Sequence, residues 1–174
     1  MAALATSRTL TELTTTVCAA TVPRMSIVDD LVANTGLYLG IDTVQGDERG
    51  GPRQGAARIL LTALPGNEGV ALDYEIFNTI SPEHVRGHVE HTVIGRTDDG
   101  GAVMVCASGH AKSVHVMRET AHGVFEVVGD EPSPYPAKVV ISIPEPGKLR
   151  HSWWYGRPGD VAIERDITEA TLQA

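Results

Sequence analysis

The chain has 174 residues, 42% of them hydrophobic and 5% aromatic, with a formal net charge of −8. That length and apolar content fit one domain with a true core and argue against a disordered chain. The acidic balance argues against non-specific binding to nucleic acid or anionic membranes, and the scarcity of aromatics argues against a base-stacking platform.

Residues 1–24 are rich in Ala, Thr and Ser and read as an N-terminal extension, partly flexible or helical. Thr9 and Glu12 have capping-box spacing, but the threonine run after them is a poor helix former. Residues 25–174 read as the folded domain. Ser26–Ala33 predicts a short helical turn with Ile27, Leu31 and Val32 on one side, suited to plugging the open end of a barrel.

About ten short strands follow. They are expected at Gly36–Ile41, Ala56–Leu64, Gly69–Asn78, His84–Gly95, Ala102–Ser108, Ser113–Glu119, Gly123–Val128, Val139–Ile143, Lys148–Tyr155 and Val161–Ile167. Turn chemistry separates several of them: Pro65-Gly66-Asn67-Glu68, Asp98-Asp99-Gly100-Gly101, Glu145-Pro146-Gly147 and Arg157-Pro158-Gly159-Asp160. Links this short favour antiparallel neighbours and exclude βαβ crossovers. The expected fold is therefore all-β, an antiparallel up-and-down barrel with a short N-terminal helix. Closure is preferred because it leaves no strand edge unpaired.

Alternation assigns the faces. In the fourth strand Val85, Gly87, Val89, His91 and Val93 form the more apolar set and are expected inward, with His84, Arg86, His88, Glu90 and Thr92 outward. In the ninth, Leu149, His151, Trp153 and Tyr155 are expected inward, since Arg150 and Ser152 mark the wet side. In the tenth, Ile163, Arg165 and Ile167 share the inward set, and in the third Tyr74 lies with Leu72 and Ile76. A polar side chain inside a core costs a few kcal/mol unless it finds a partner, and in a barrel a ligand can be that partner. Tyr74, His91, His151, Trp153, Tyr155 and Arg165 are the candidate ligand-binding residues, with His91 and His151 the candidate catalytic ones. For each polar residue the alternative is an ordinary structural role, such as a satisfied core histidine or an Arg165 that stacks on an aromatic ring at the barrel end.

Glu83, His84, His88, Glu90 and His91 are rich in metal-ligating types, but the alternation splits them between two faces, so they read as solvated surface rather than a metal site. No nucleophile elbow, phosphate-cradling glycine loop or paired-cysteine zinc spacing is present. Cys18 and Cys106 do not suggest a disulfide framework, which points to a cytoplasmic protein. No apolar run approaches the roughly 18–20 residues of a membrane span.

Gly36-Leu37-Tyr38-Leu39-Gly40, placed after a short helical turn at the start of the first strand, resembles the opening of calycin barrels, the superfamily of lipocalins, fatty-acid-binding proteins and nitrobindins. There a Gly-x-Trp packs against an Arg from the last strand; here Tyr38 stands at the Trp position and Arg165 lies in the last strand. The strand number is similar to the fatty-acid-binding and nitrobindin branches. The fuller Gly- and Trp-rich opening and the Tyr-Pro pair of nitrobindins are missing.

The resemblance implies a barrel that binds a small hydrophobic or amphipathic molecule. The alternative is an isomerase or cyclase acting on a polyketide- or terpenoid-like substrate, with His91 or His151 as acid or base and a tyrosine or Arg165 steadying an oxyanion. A second alternative is haem binding through His151, without which no cofactor is expected. Whether catalysis occurs, and whether the protein is a monomer or a homodimer, is left open by the sequence. A cone-shaped α+β fold is disfavoured for want of long helices before the strands.

Overall fold

A computed structural model of the chain describes residues 26–46, 51–78, 86–108, 113–128, 137–156 and 161–174. The expectations for residues 1–24, Cys18, Glu83 and His84 lie outside them. The elements in chain order are α1 (Ile27–Ala33), β1 (Gly36–Val44), β2 (Arg53–Ala63), β3 (Gly69–Asn78), β4 (Arg86–Arg96), β5 (Ala102–Ser108), β6 (Ser113–Ala121), β7 (Val124–Val127), β8 (Ala137–Glu145), β9 (Lys148–Tyr155) and β10 (Ile163–Leu172), with a 3-10 turn at Pro65–Asn67. The ten strands close into one antiparallel barrel in sequence order, β1 pairing with β10. Turn chemistry acts where expected: Gly66, Asn67, Gly100, Gly123 and Gly147 take positive φ.

The barrel has two unlike ends. The short turns β2–β3, β4–β5, β6–β7 and β8–β9 gather at one end, and α1 closes it. Ile27, Val28 and Leu31 of α1 are fully buried there against Tyr38, Leu61, Val70, Leu72, Ile94, Met104, Met117, Phe125, Ile141 and Leu149. Burying each large aliphatic side chain contributes about 1.5–3 kcal/mol.

Polar bonds fix the plug's orientation. Glu119 of β6 is buried, and its carboxylate accepts from the Ser26 hydroxyl (3.1 Å), the Ile27 N–H (3.1 Å) and the Gly123 N–H (2.9 Å). A negative charge at the start of a helix also meets the positive end of its dipole. Ser26 caps the helix by accepting from the Val28 N–H. Asp29 pairs with Arg96 (2.8 Å), Asp30 meets His122 (2.9 Å), and Asn34 accepts from the Gly147 N–H (3.2 Å).

Three expectations are corrected. On β4 the inward side chains are His88, Glu90, Thr92 and Ile94, while Val89 and His91 face out. Register decides this: Val70, Leu72 and Tyr74, the inner face of β3, lie opposite Ile94, Thr92 and Glu90. The valines misled the alternation because the outer surface also carries a row of them, Val93, Val105 and Val116 in register on β4, β5 and β6.

On β10 a bulge between Glu164 and Asp166 changes the phase, so that Asp166 lies opposite Trp153 and Thr168 and Ala170 continue the inner face, while Ile163, opposite Tyr155, is exposed. Arg165 is the extra residue. Its Nε donates to the Tyr155 carbonyl (3.4 Å), and its guanidinium lies 5.9 Å from the Tyr155 ring centre.

The expected packing of Tyr38 on Arg165 does not form. Tyr38 lies opposite Leu172 at the plugged end, whereas Arg165 lies about 20 Å further along the strand. The Tyr38 hydroxyl instead donates to the Asn34 carbonyl.

Glu119→Ala would leave three buried donors without their acceptor. It is expected to lower stability by about 2–4 kcal/mol, with Glu119→Gln costing less. Urea midpoints of the three proteins, at equal m-value, check this.

Candidate functional site: a polar chamber away from the helix

Away from α1 the interior changes character. The inner faces of β1, β3, β4, β9 and β10 bring Asp42, Tyr74, Glu90, His151, Asp166 and Thr168 together. Asp42, Tyr74, Glu90, His151 and Thr168 are each at most 1% exposed. So much buried polarity is stable only if its groups satisfy one another.

Two networks do most of this. In one, the Tyr74 hydroxyl donates to Asp42 Oδ1 (3.0 Å), the Thr168 hydroxyl reaches the same oxygen (2.9 Å), and Asp166 is hydrogen-bonded to Asp42. Burial, then the bond to Asp42 and its negative charge, push the Asp166 acid up to about 9, so it carries a proton at neutral pH. Burial also raises the Tyr74 phenol, which stays protonated.

In the other network Glu90 is the hub. It accepts from the Thr92 hydroxyl (2.6 Å) and the Trp153 indole N–H (3.0 Å), with a His88 ring nitrogen at 3.6 Å. Burial alone would raise its acid, but these groups and His151 outweigh that, and the carboxyl sits at about 2. Cys106 lies against Glu90 and Thr92, and burial with the nearby carboxylate pushes its thiol up to about 12, which makes it a poor nucleophile.

His151 stands between the networks. Its ring centre is 5.0 Å from that of Tyr74, and its Nε2 is 3.8 Å from Glu90 Oε1, beyond hydrogen-bond length. That Nε2 is fully buried and has no hydrogen-bond partner. Burial pushes the imidazole down, toward the neutral form, against the opposite pull of Glu90.

Of the candidates read from the sequence, Tyr74, His151 and Trp153 meet in this chamber, and Tyr155 flanks it at the end of β9. Arg165 sits at the rim. His91 lies on the outer surface, paired with Asp73 at 2.5 Å with both side chains about half exposed; it is corrected from the inner face. Asp42, Glu90, Asp166 and Thr168 were missed. Glu90 and Asp166 were hidden by the misassigned faces of β4 and β10, and Asp42 and Thr168 by strands read too short at their ends. Among the described residues, no three acidic, histidine or cysteine side chains are grouped to hold a metal ion, and no helix is long and apolar enough to cross a membrane.

No protein-family model matches the chain, and no curated protein matches it. Solved structures do resemble it. Rv2717c from M. tuberculosis superposes with a TM-score of 0.62 at 11% identity, over 87% of this chain and 99% of that one. The S-type phycobiliprotein lyase CPES from Guillardia theta gives 0.56 at 10% identity, over 87% and 95%. At such identities the likeness concerns the fold alone, and that fold is a calycin-like barrel.

The protonated Asp166 makes stability depend on pH. An aspartic acid in an unfolded chain loses its proton near 3.9, whereas folded Asp166 keeps it to about 9. The folded state binds more protons across that window, so this group's contribution is intact below about pH 4 and is lost as pH rises toward 9. Asp166→Asn cannot ionise. It is expected to match the wild type near pH 4 and to exceed it by about 1–3 kcal/mol near pH 8, read from urea midpoints at the two pH values.

Proposed function

We propose that the barrel binds a small amphipathic molecule in the half away from α1, with the polar end of the ligand at His151 and Glu90 and its apolar part against Trp153 and Tyr155. The observation that carries this reading is the buried Nε2 of His151, which has no hydrogen-bond partner and faces Glu90 Oε1 at 3.8 Å. A ligand pocket typically combines apolar walls with a few placed polar groups, and this interior has that make-up. The ten-stranded closure is similar to the fatty-acid-binding and nitrobindin branches of the calycins, and this similarity supports the binding reading.

An isomerase or cyclase working on a polyketide- or terpenoid-like substrate is the second reading, and one observation favours it. Asp166 holds a proton to about 9 while Glu90 is ionised down to about 2, so a proton donor and an anion coexist in one enclosed space. His151 would be the base and Asp166 the acid; His91 takes no part.

Haem is not favoured. The donor chemistry of His151 Nε2 suits an axial ligand, but a porphyrin needs an open face beside that nitrogen. The Glu90 carboxylate at 3.8 Å and the Tyr74 ring crowd it. A flat visible spectrum after haemin addition is the expected result.

Native mass spectrometry of the purified protein is expected to show a bound small molecule, or a lipophile panel to raise the melting temperature by several degrees, with the response weakened in His151→Ala. No adduct and no shift across the panel would overturn the binding reading.

A further inference from the structure

The chamber carries information about the head group it would accept. His151 Nε2 and Glu90 Oε1 face each other at 3.8 Å from opposite strands, β9 and β4. With His151 neutral and its proton on Nδ1, both are acceptors. Two acceptors at that separation are bridged by a donor about 2.8–3.0 Å from each. Glu90 already receives the Thr92 hydroxyl and the Trp153 indole, so its charge is oriented and held in place.

The surroundings favour positive charge in that donor. Asp42 stands on the same inner surface and accepts from Tyr74, whose ring lies 5.0 Å from that of His151. Of the arginines near the chamber, Arg53 is exposed and Arg165 donates through Nε to the Tyr155 carbonyl, while the His88 ring nitrogen already lies 3.6 Å from Glu90 Oε2. Carboxylates enclosed by low-dielectric walls focus a negative potential, and the aromatic faces of Tyr74 and Trp153 add to the attraction for an ammonium. A carboxylate head would meet the ionised Glu90 at close range and be repelled by it.

We infer that the chamber selects amphiphiles with a protonated amine, which sits between His151 Nε2 and Glu90 Oε1, and rejects fatty-acid carboxylates. This rests on the binding reading and gives it a chemical class.

The test is equilibrium binding of three probes with the same ten-carbon tail, decylamine, decanol and decanoate, near neutral pH to wild type, Glu90→Gln, His151→Gln and His91→Ala. Decylamine is expected to bind wild type at least tenfold more tightly than either other probe. Glu90→Gln and His151→Gln are each expected to weaken decylamine at least tenfold with little effect on decanol, and the surface variant His91→Ala to change nothing. Circular dichroism of each variant verifies the barrel. Tighter binding of decanoate, or decanol equal to decylamine, would overturn the amine selectivity while leaving a lipophile-binding barrel intact. An amine preference that survives both Glu90→Gln and His151→Gln would overturn the assignment to this pair. Failure of all three probes to bind would sink the binding reading itself.

Discussion

Glu90 is the group around which the half of the barrel away from α1 is arranged. A carboxylate that is fully buried and ionised costs several kcal/mol in lost solvation, and that cost must be offset by donors at short range. Thr92, two residues along the same face, supplies one; Trp153, from β9 across the interior, supplies another. Because β9 must present Trp153 to Glu90, it presents Leu149 and His151 to the interior as well, since side chains on one face recur every second residue. Because β4 must present Glu90, His88 comes inside with it and His91 goes out. One ion and its two donors thus account for much of the polarity of the chamber.

How much of this was legible in the residues depends on which physical signal was strong. The strand series, the turns and the plug helix were legible because glycine, proline and apolar periodicity act locally, and Gly69–Asn78, Ala102–Ser108 and Lys148–Tyr155 fall where that local chemistry puts them. The inner faces of β3 and β9 were legible because one face is clearly oilier or because arginine marked the wet side. The faces of β4 and β10 were not. On β4, valines pointing to solvent outnumber the apolar residues inside, and only the pairing of Tyr74 with Glu90 reveals the true inner face. On β10, the one-residue bulge at Arg165 shifts the alternation halfway along the strand, and nothing in the side-chain pattern announces it.

Those two failures fall in the same place. β4 and β10 supply Glu90, Asp166 and Thr168, the groups that make the chamber polar. A strand that buries carboxylates while exposing valines breaks the local rule that ties hydrophobicity to burial, and such conflicts concentrate where a protein trades stability for a site. The calycin pattern likewise held in its topology and failed in its signature: Tyr38 is buried as a core aromatic, but its hydroxyl turns to the Asn34 carbonyl and Arg165 serves Tyr155 at the other end.

The division of the barrel into two halves explains how it tolerates so polar an interior. The closed end is sealed by α1, packed with Leu, Ile, Met and Phe, and locked by Glu119, whose three accepted bonds are structural in every respect. Its stability does not depend on what occupies the other end. The other half can then hold Asp42 against Asp166, and Glu90 against the unpartnered Nε2 of His151, at a cost that a solid apolar core would not carry. Glu119 and Glu90 are both buried glutamates with donors around them, yet they differ in one respect that separates scaffold from site. Every neighbour of Glu119 is already satisfied by it, whereas Glu90 leaves a facing nitrogen 3.8 Å away with nothing to bind.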